Sequence, residues 1–460
     1  MSESGGNVFA RDSDSAAQDT TDTGLRVRAR AHLRILAVVI WLMILGTFTP
    51  LERDEAANGV ATDAFARVKL VVRLVCLAVL SVSLVTIPRG DRWQTIKWFF
   101  GPMLVYIAWA FTSASWSPLK SVSVGQALSL LSLWALGASI AFRFRNDEDA
   151  AYLFKHAAGA LVVFNSVLLA AFVMSGGGDE RFSFAYAHPT AAGSTASIGI
   201  LLLAMALLQG KWSWAKWIFL PGMLVHLGVL IAAESRTALL LLILCAGLTL
   251  LLSMRPGTWA VSFVATSLLF SSYLFLDGGL EGVNELGTDM TRYLERGQTR
   301  DELAAFSGRE ELWEVMWESH REAPVFGHGY FVTSRSGELD IWGRETNFTA
   351  HNMMFQALIT TGYIGCLLFS WALLQPLLAT FQSLSCQTLD KTLALMWLNI
   401  ALWLVGWGLM DPGIVGPLAP NSVVIFVALG LVAGNTALAR ETWGQPETPR
   451  SRALQWEATV

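Results

Sequence analysis

The sequence predicts an all-α, polytopic membrane protein with about 12 transmembrane helices and one long polar loop carrying short helices. Composition is the first ground: hydrophobic residues are 53% of 460, charged residues only 15%, and there are 19 tryptophans, far from a soluble average. The second is the recurrence of apolar runs of roughly 20 residues, the length a helix needs to cross a bilayer. The third is the distribution of lysine and arginine over alternate short connections between those runs.

In chain order, residues 1–25 are polar, acidic and aperiodic. A tail reaching residue 31 is therefore expected to be disordered; no basic region abuts an early apolar core, so it is not a signal peptide and the first span serves for insertion. Residues 32–276 hold nine spans, at 33–50, 69–87, 97–113, 122–142, 152–174, 190–208, 214–233, 237–254 and 258–276. A polar loop fills 277–351, three further spans follow within 352–438 at 352–380, 392–410 and 418–438, and 439–460 is a second tail. One set of connections carries Arg26, Arg28, Arg30 and Arg34, then Arg89, Arg92 and Lys97, then Arg143, Arg145 and Lys155, then Lys211 and Lys216, then Arg255, Lys391, Arg440, Arg450 and Arg452. Short basic loops mark the cytoplasmic side, so both termini are expected in the cytoplasm. The other set, 51–68, 114–121, 175–189, 234–236, 277–351 and 411–417, is then external.

Several chemistries are excluded early. Cys76, Cys245, Cys366 and Cys386 have no paired spacing, which argues against a disulfide framework or a zinc site and for packing. Asp147-Glu148-Asp149 has the look of a metal-binding triplet, but it falls on the cytoplasmic side and reads as charge at a helix start. No metal, soluble cofactor or nucleic-acid partner is expected.

The polar loop holds seven arginines and no lysine. A guanidinium grips phosphate or carboxylate through two parallel hydrogen bonds, where lysine offers a point charge, so the bias points to oxyanion recognition. The loop also holds more acids than arginines, and most of its charge reads as solvated surface. Ser307-Gly308-Arg309-Glu310 is a capping box opening a helix to about Arg321. Arg309 then sits in a first turn, where a cation is disfavoured unless an anion is near. Its rival role is a surface salt bridge. Trp313 and Trp317 share its face at spacings of four and would present an aromatic edge at the membrane interface. Pro324 to Tyr330 is a glycine-punctuated turn. His351, at the start of a membrane helix, is placed to accept a proton from a sugar hydroxyl, or else to cap the helix.

The strings SGREELWEVMWESHREAPVFGHGY, HNMMFQALITTGYIG and ESRTALLLLI, with SASWSP after the third span and AYAHPTAAG before the sixth, resemble the O-antigen ligase and O-antigen polymerase superfamily, nearest its exopolysaccharide-polymerase-like branch. The resemblance covers about 100–380 and implies a multi-spanning enzyme of the bacterial inner membrane. Such an enzyme transfers a glycan from a polyprenyl (undecaprenyl) diphosphate carrier to an acceptor hydroxyl on the periplasmic face. It implies functional roles for Arg236, Arg309 and His351. Arg181, His188, His328 and Asn352 are further candidate site residues.

Arg236 lies in the short turn Ala233-Glu234-Ser235-Arg236-Thr237, where an ion at membrane depth requires a partner or a ligand; pairing with Glu234 or snorkelling is the alternative. The expected mechanism is a single displacement, with His351 taking the acceptor's proton while Arg236 and Arg309 hold the departing diphosphate. Asp54, Glu55 and Asp179 are rival bases. Expected partners are the lipid-linked donor, a glycan or lipid A core acceptor, membrane lipids, and assembly proteins such as a flippase or chain-length regulator. Ligation to lipid A core is the alternative reaction. A small-anion or solute transporter, which would show internal symmetry and helices broken at mid-membrane, is the alternative class, and an assembly scaffold is a third.

Overall fold

The computed structural model describes residues 30–48, 64–86, 90, 92–174, 189–208, 213–253, 309–331, 349–416 and 418–443. Among these residues the chain is helix and turn throughout, with no strand. The helices are α1 (30–45), α2 (Ala64–Val85), α3 (Arg92–Ser113), α4 (Lys120–Arg143), α5 (Asp147–Met174), α6 (Pro189–Leu208), α7 (Ala215–Ala233), α8 (Arg236–Ser253), α9 (Arg309–Glu322), α10 (Met353–Ser385), α11 (Lys391–Gly408) and α12 (Pro420–Trp443). A short 3-10 turn, Gly413–Val415, lies between α11 and α12.

Eight of these helices are long and apolar enough to cross a membrane, and α8 is a shorter apolar helix. Eleven of the apolar runs read from the sequence coincide with a described helix. The twelfth, 258–276, lies outside the described residues, as do the Ser307 cap and most of both tails; residues 30–31 and 439–443 of the tails continue α1 and α12 as helix.

α12 is the most enclosed span, with 83% of its apolar window buried. It packs closely on α4, because Gly430 and Gly434 present no side chain there: a Cβ on Gly430 would stand 2.6 Å from the carbonyl oxygen of Gly137. Small residues bring helix backbones together in this way where no water-driven attraction acts between them. Around this pair a continuous core runs through α3, α5, α6 and α11, and it includes the stacked indoles of Trp403 and Trp407, 5.5 Å apart.

The two ends of the bundle differ in chemistry. At one end Arg92 pairs with Glu441 at 2.7 Å and donates to the carbonyls of Phe142 and Phe144, while Arg143 donates to Ser83 O and to Thr86 Oγ1. Asp147-Glu148-Asp149 forms the first turn of α5 at this end, and Asp149 accepts from the Arg145 amide at 3.0 Å, so the triplet is helix-start charge as read. All four cysteines are free; Cys76 and Cys245 are buried, whereas Cys386 is exposed and packs against nothing that would fix it. The opposite end gathers the turns before α4, between α7 and α8 and between α11 and α12, together with α9, and the candidate site lies there.

Candidate functional site

The structure corrects the reading of 352–380 as one uninterrupted span. α10 runs for 33 residues, but Gly362 has φ 67° and ψ −171°, which breaks it in two. Thirty-three residues of helix would measure about 50 Å, nearly twice what α11 needs over its own length. Yet Met353, at the head of α10, packs on Gly408 at the tail of α11 and on Gly413 in the 3-10 turn that follows. The break at Gly362 separates this first segment from the rest of the helix by a kink.

A broken helix exposes main-chain groups, and inside protein or lipid each needs a partner. An intact helix would join the amides of Tyr363 and Ile364 to the carbonyls of Ile359 and Thr360. Here those four groups are taken by the glycine-punctuated turn. The His328 and Gly329 amides donate to Ile359 O (3.4 Å) and Thr360 O (2.9 Å), and the Tyr363 and Ile364 amides donate to Pro324 O (2.9 Å) and Val325 O (3.4 Å). The turn thus replaces two rungs of the helix. Trp109 Nε1 donates to Thr361 O and Trp116 Nε1 to Gly327 O, each at 3.1 Å, and both indoles pack on Phe326. Gly327 (φ 70°) and Gly329 (φ 113°) are needed because a Cβ there would strike Thr360 or Ser117.

Tyr330 continues the joint inward. It is fully buried, its amide donates to Ser113 Oγ at 2.9 Å, and its hydroxyl donates to Val415 O at 3.2 Å. Burial holds this phenol well above its ordinary range. A second joint forms where Gly193 of α6 presses on Ser235, which is buried in the turn between α7 and α8. Asn421 Nδ2 donates to Ser194 Oγ at 3.4 Å and ties that joint to the head of α12. The elements SASWSP, PVFGHGY and TTGYIG are thus fastened at the first joint, and ESRTALLLLI and the described part of AYAHPTAAG, from Pro189 to Gly193, at the second.

Each candidate residue has a definite standing. Arg236 is the first residue of α8, following Glu234 in left-handed backbone (φ 46°). Arg309 is the first residue of α9, the helix expected there. α9 reaches the site by packing Met316 against Ala350 and Ile359. His351 has φ 47°, a backbone that costs a non-glycine residue about 1–3 kcal/mol unless its surroundings hold it. Its neighbours do hold it: the Ala350 amide donates to Gln356 Oε1 (2.8 Å), Ala350 O accepts from Trp313 Nε1 (2.7 Å), and Asn352 caps α10 by accepting from the Phe355 amide (2.9 Å). Asn352 is thus a capping residue, and its Nδ2 reaches Leu409 O at 3.4 Å.

His328 is occupied in fastening the turn to α9, with Nε2 donating to Ser319 O at 2.9 Å. The tryptophan edge also differs from expectation: Trp313 and Trp317 lie on Phe355, which makes them a brace between α9 and α10. Arg181, His188, Asp54, Glu55 and Asp179 lie outside the described residues. No group of three or more His, Cys, Asp or Glu that could hold a metal ion occurs among the described residues.

Sequence reasoning missed His320. It is buried on α9 with no hydrogen-bond partner on either ring nitrogen, edge-on to Tyr363 at 5.0 Å and beside Trp317. Burial, and secondarily His328, lower its pKa. Its helical spacing of three from Trp317 was the signal available.

Residues 221–370 match the family model described as O-Antigen ligase. Over 211 residues the chain is also 26% identical to the exopolysaccharide production protein ExoQ of Rhizobium meliloti (strain 1021). That match covers 42% of this chain and 46% of the relative, somewhat under half of its length. The resemblance read from the sequence is borne out over the matched segment, which contains Arg236, Arg309, His351 and the whole turn-in-helix joint.

Proposed function

We propose, with the O-antigen ligase match as premise, that this protein is a glycosyltransferase of the bacterial inner membrane. It would extend exopolysaccharide or O-antigen by moving glycan from an undecaprenyl diphosphate carrier to an acceptor hydroxyl at the periplasmic face. The observation that carries this reading is the convergence at one end of the bundle of sequence elements far apart in the chain, with Arg236 and Arg309 each opening a helix. First-turn arginines lie where free amides and the helix dipole favour an anion, and an anion bound between them would be neutralised by both.

In the proposed reaction the acceptor oxygen attacks the anomeric carbon as the bond from that carbon to the diphosphate breaks, inverting the centre. His351 removes the hydroxyl proton; Arg236 and Arg309 hold the diphosphate as negative charge gathers on it, where preorganised donors act most strongly. The reaction needs no metal in this reading. The rigid backbone around His351 suits a base that must meet a hydroxyl in one geometry.

A solute transporter would also use a broken helix, but its break would line a cavity. The polar groups at Gly362 are instead taken by the turn and Trp109, which favours the enzyme reading. Purified protein supplied with lipid-linked repeat units alone should yield a ladder of longer glycans. A strict requirement for added lipid A core would make it a ligase, and no transfer to either acceptor would defeat the proposal.

A further inference from the structure

A further cation lies where α2 faces α4, away from the loop. Arg73 is on α2, five residues into the apolar window Val68–Val85, or about 7–8 Å below its edge at the site end. An arginine within a span is costly and needs a counter-charge or a ligand. Its Nη1 donates to Ser129 Oγ of α4 at 3.0 Å, and Ser129 in turn donates to Gly125 O at 3.0 Å. No carboxylate pairs with it among the described residues, and its Nε is buried without a hydrogen-bond partner. The Nε donor, on the side of the fork that grips an oxyanion with two parallel bonds, is therefore without an acceptor.

The surroundings make a place for such an anion. One turn along α4 from Ser129, toward the site end, a Cβ on Gly125 would meet nothing within 4 Å. Lys69, one turn from Arg73 on the same face of α2, is half-buried and adds positive charge. Val71, Leu74 and Val75 beside it are exposed apolar residues on a membrane-facing surface, so the space is reached from the bilayer.

We propose that Arg73, Ser129 and the open space over Gly125 form a binding site for the phosphate of a membrane lipid. A free phosphate ion would have to shed its hydration to enter the apolar layer. A lipid carries its phosphate at the interface and needs to sink only a short way to meet the guanidinium. The site does not rest on the transfer reaction.

The test uses full-length protein reconstituted with phosphatidylethanolamine–phosphatidylglycerol vesicles, with or without undecaprenyl phosphate, then released and weighed intact by native mass spectrometry. The parent should retain a lipid adduct, and Arg73→Gln should retain at least tenfold less. Loss in both preparations identifies a phospholipid; loss only where undecaprenyl phosphate is present identifies the polyprenyl lipid. Gly125→Leu fills the space without touching the charge and should displace the same adduct, which keeps the test decisive if Arg73→Gln does not fold. Either folded variant retaining lipid at the parent level overturns the site, and so does an adduct formed with added inorganic phosphate in place of lipid.

Discussion

Replacing Gly362 by alanine should unfasten the site. At φ 67° and ψ −171° the backbone is in a region open essentially to glycine alone, and holding another residue there costs about 1–3 kcal/mol. The added methyl would also collide with the carbonyl of Val325 and stand 2.6 Å from the amide nitrogen of Phe326. Those atoms are main chain, so the turn must move away, and its four hydrogen bonds to α10 contribute about 1 kcal/mol each. Strain together with the loss of two of these bonds gives about 3–5 kcal/mol. Each 1.4 kcal/mol is tenfold in an equilibrium constant, so the turn should open about 100 to 4,000 times more often. Hydrogen exchange of the Gly329 and Tyr363 amides in detergent reads this directly, and glycan transfer should fall with it. Gly101→Ala in α3, where a Cβ meets nothing within 4 Å, is the control and should change neither. Exchange at Gly329 and Tyr363 within about threefold of the parent would refute the interleaved joint.

Arg236→Lys and Arg309→Lys keep charge but lose the fork, and each should cost at least about tenfold in transfer rate, about 1.4 kcal/mol, with thermal unfolding unchanged. His351→Asn keeps a residue that tolerates left-handed backbone while removing the base; it should abolish transfer and leave lipid-donor binding near the parent value. Transfer at the parent rate would return the role of base to the external carboxylates. Burial lowers the pKa of His320, so the unfolded chain takes up its proton first. Stability from this residue is then complete above the ordinary value of 6.5 and falls away below it. Thermal unfolding should be lower at pH about 5.5 than at about 7.5, and His320→Phe should reduce that difference.

The spans were legible because bilayer length and apolar composition are local properties, and eleven runs fall on helices. So was α9, expected to about Arg321 and found as Arg309–Glu322. The turn from Pro324 was legible as a turn, but its partner was not. The bonds joining it to Ile359–Ile364 are made by main chain, which leaves no mark in residue type beyond the glycines at 327, 329 and 362. His328 and Asn352 looked like chemistry, yet they fasten the turn and cap α10, since polar side chains serve structure as readily as reaction. Arg73 was hidden by the apolar run around it. Two cations one turn apart in the run, Lys69 and Arg73, were the available signal, and averaging hydropathy over the run removed it.

The joint at Gly362 has a consequence for how such a protein can change over generations. The four bonds of the connection are made by peptide groups, so they do not themselves depend on the side chains of Val325, Phe326 and His328, although Phe326 and His328 fasten the turn by other contacts. Only the three glycines and the main-chain path are held fast. A segment fastened this way can take new side chains without the bundle having to be rebuilt, because the bonds that hold it to α10 are the same for every residue type but proline.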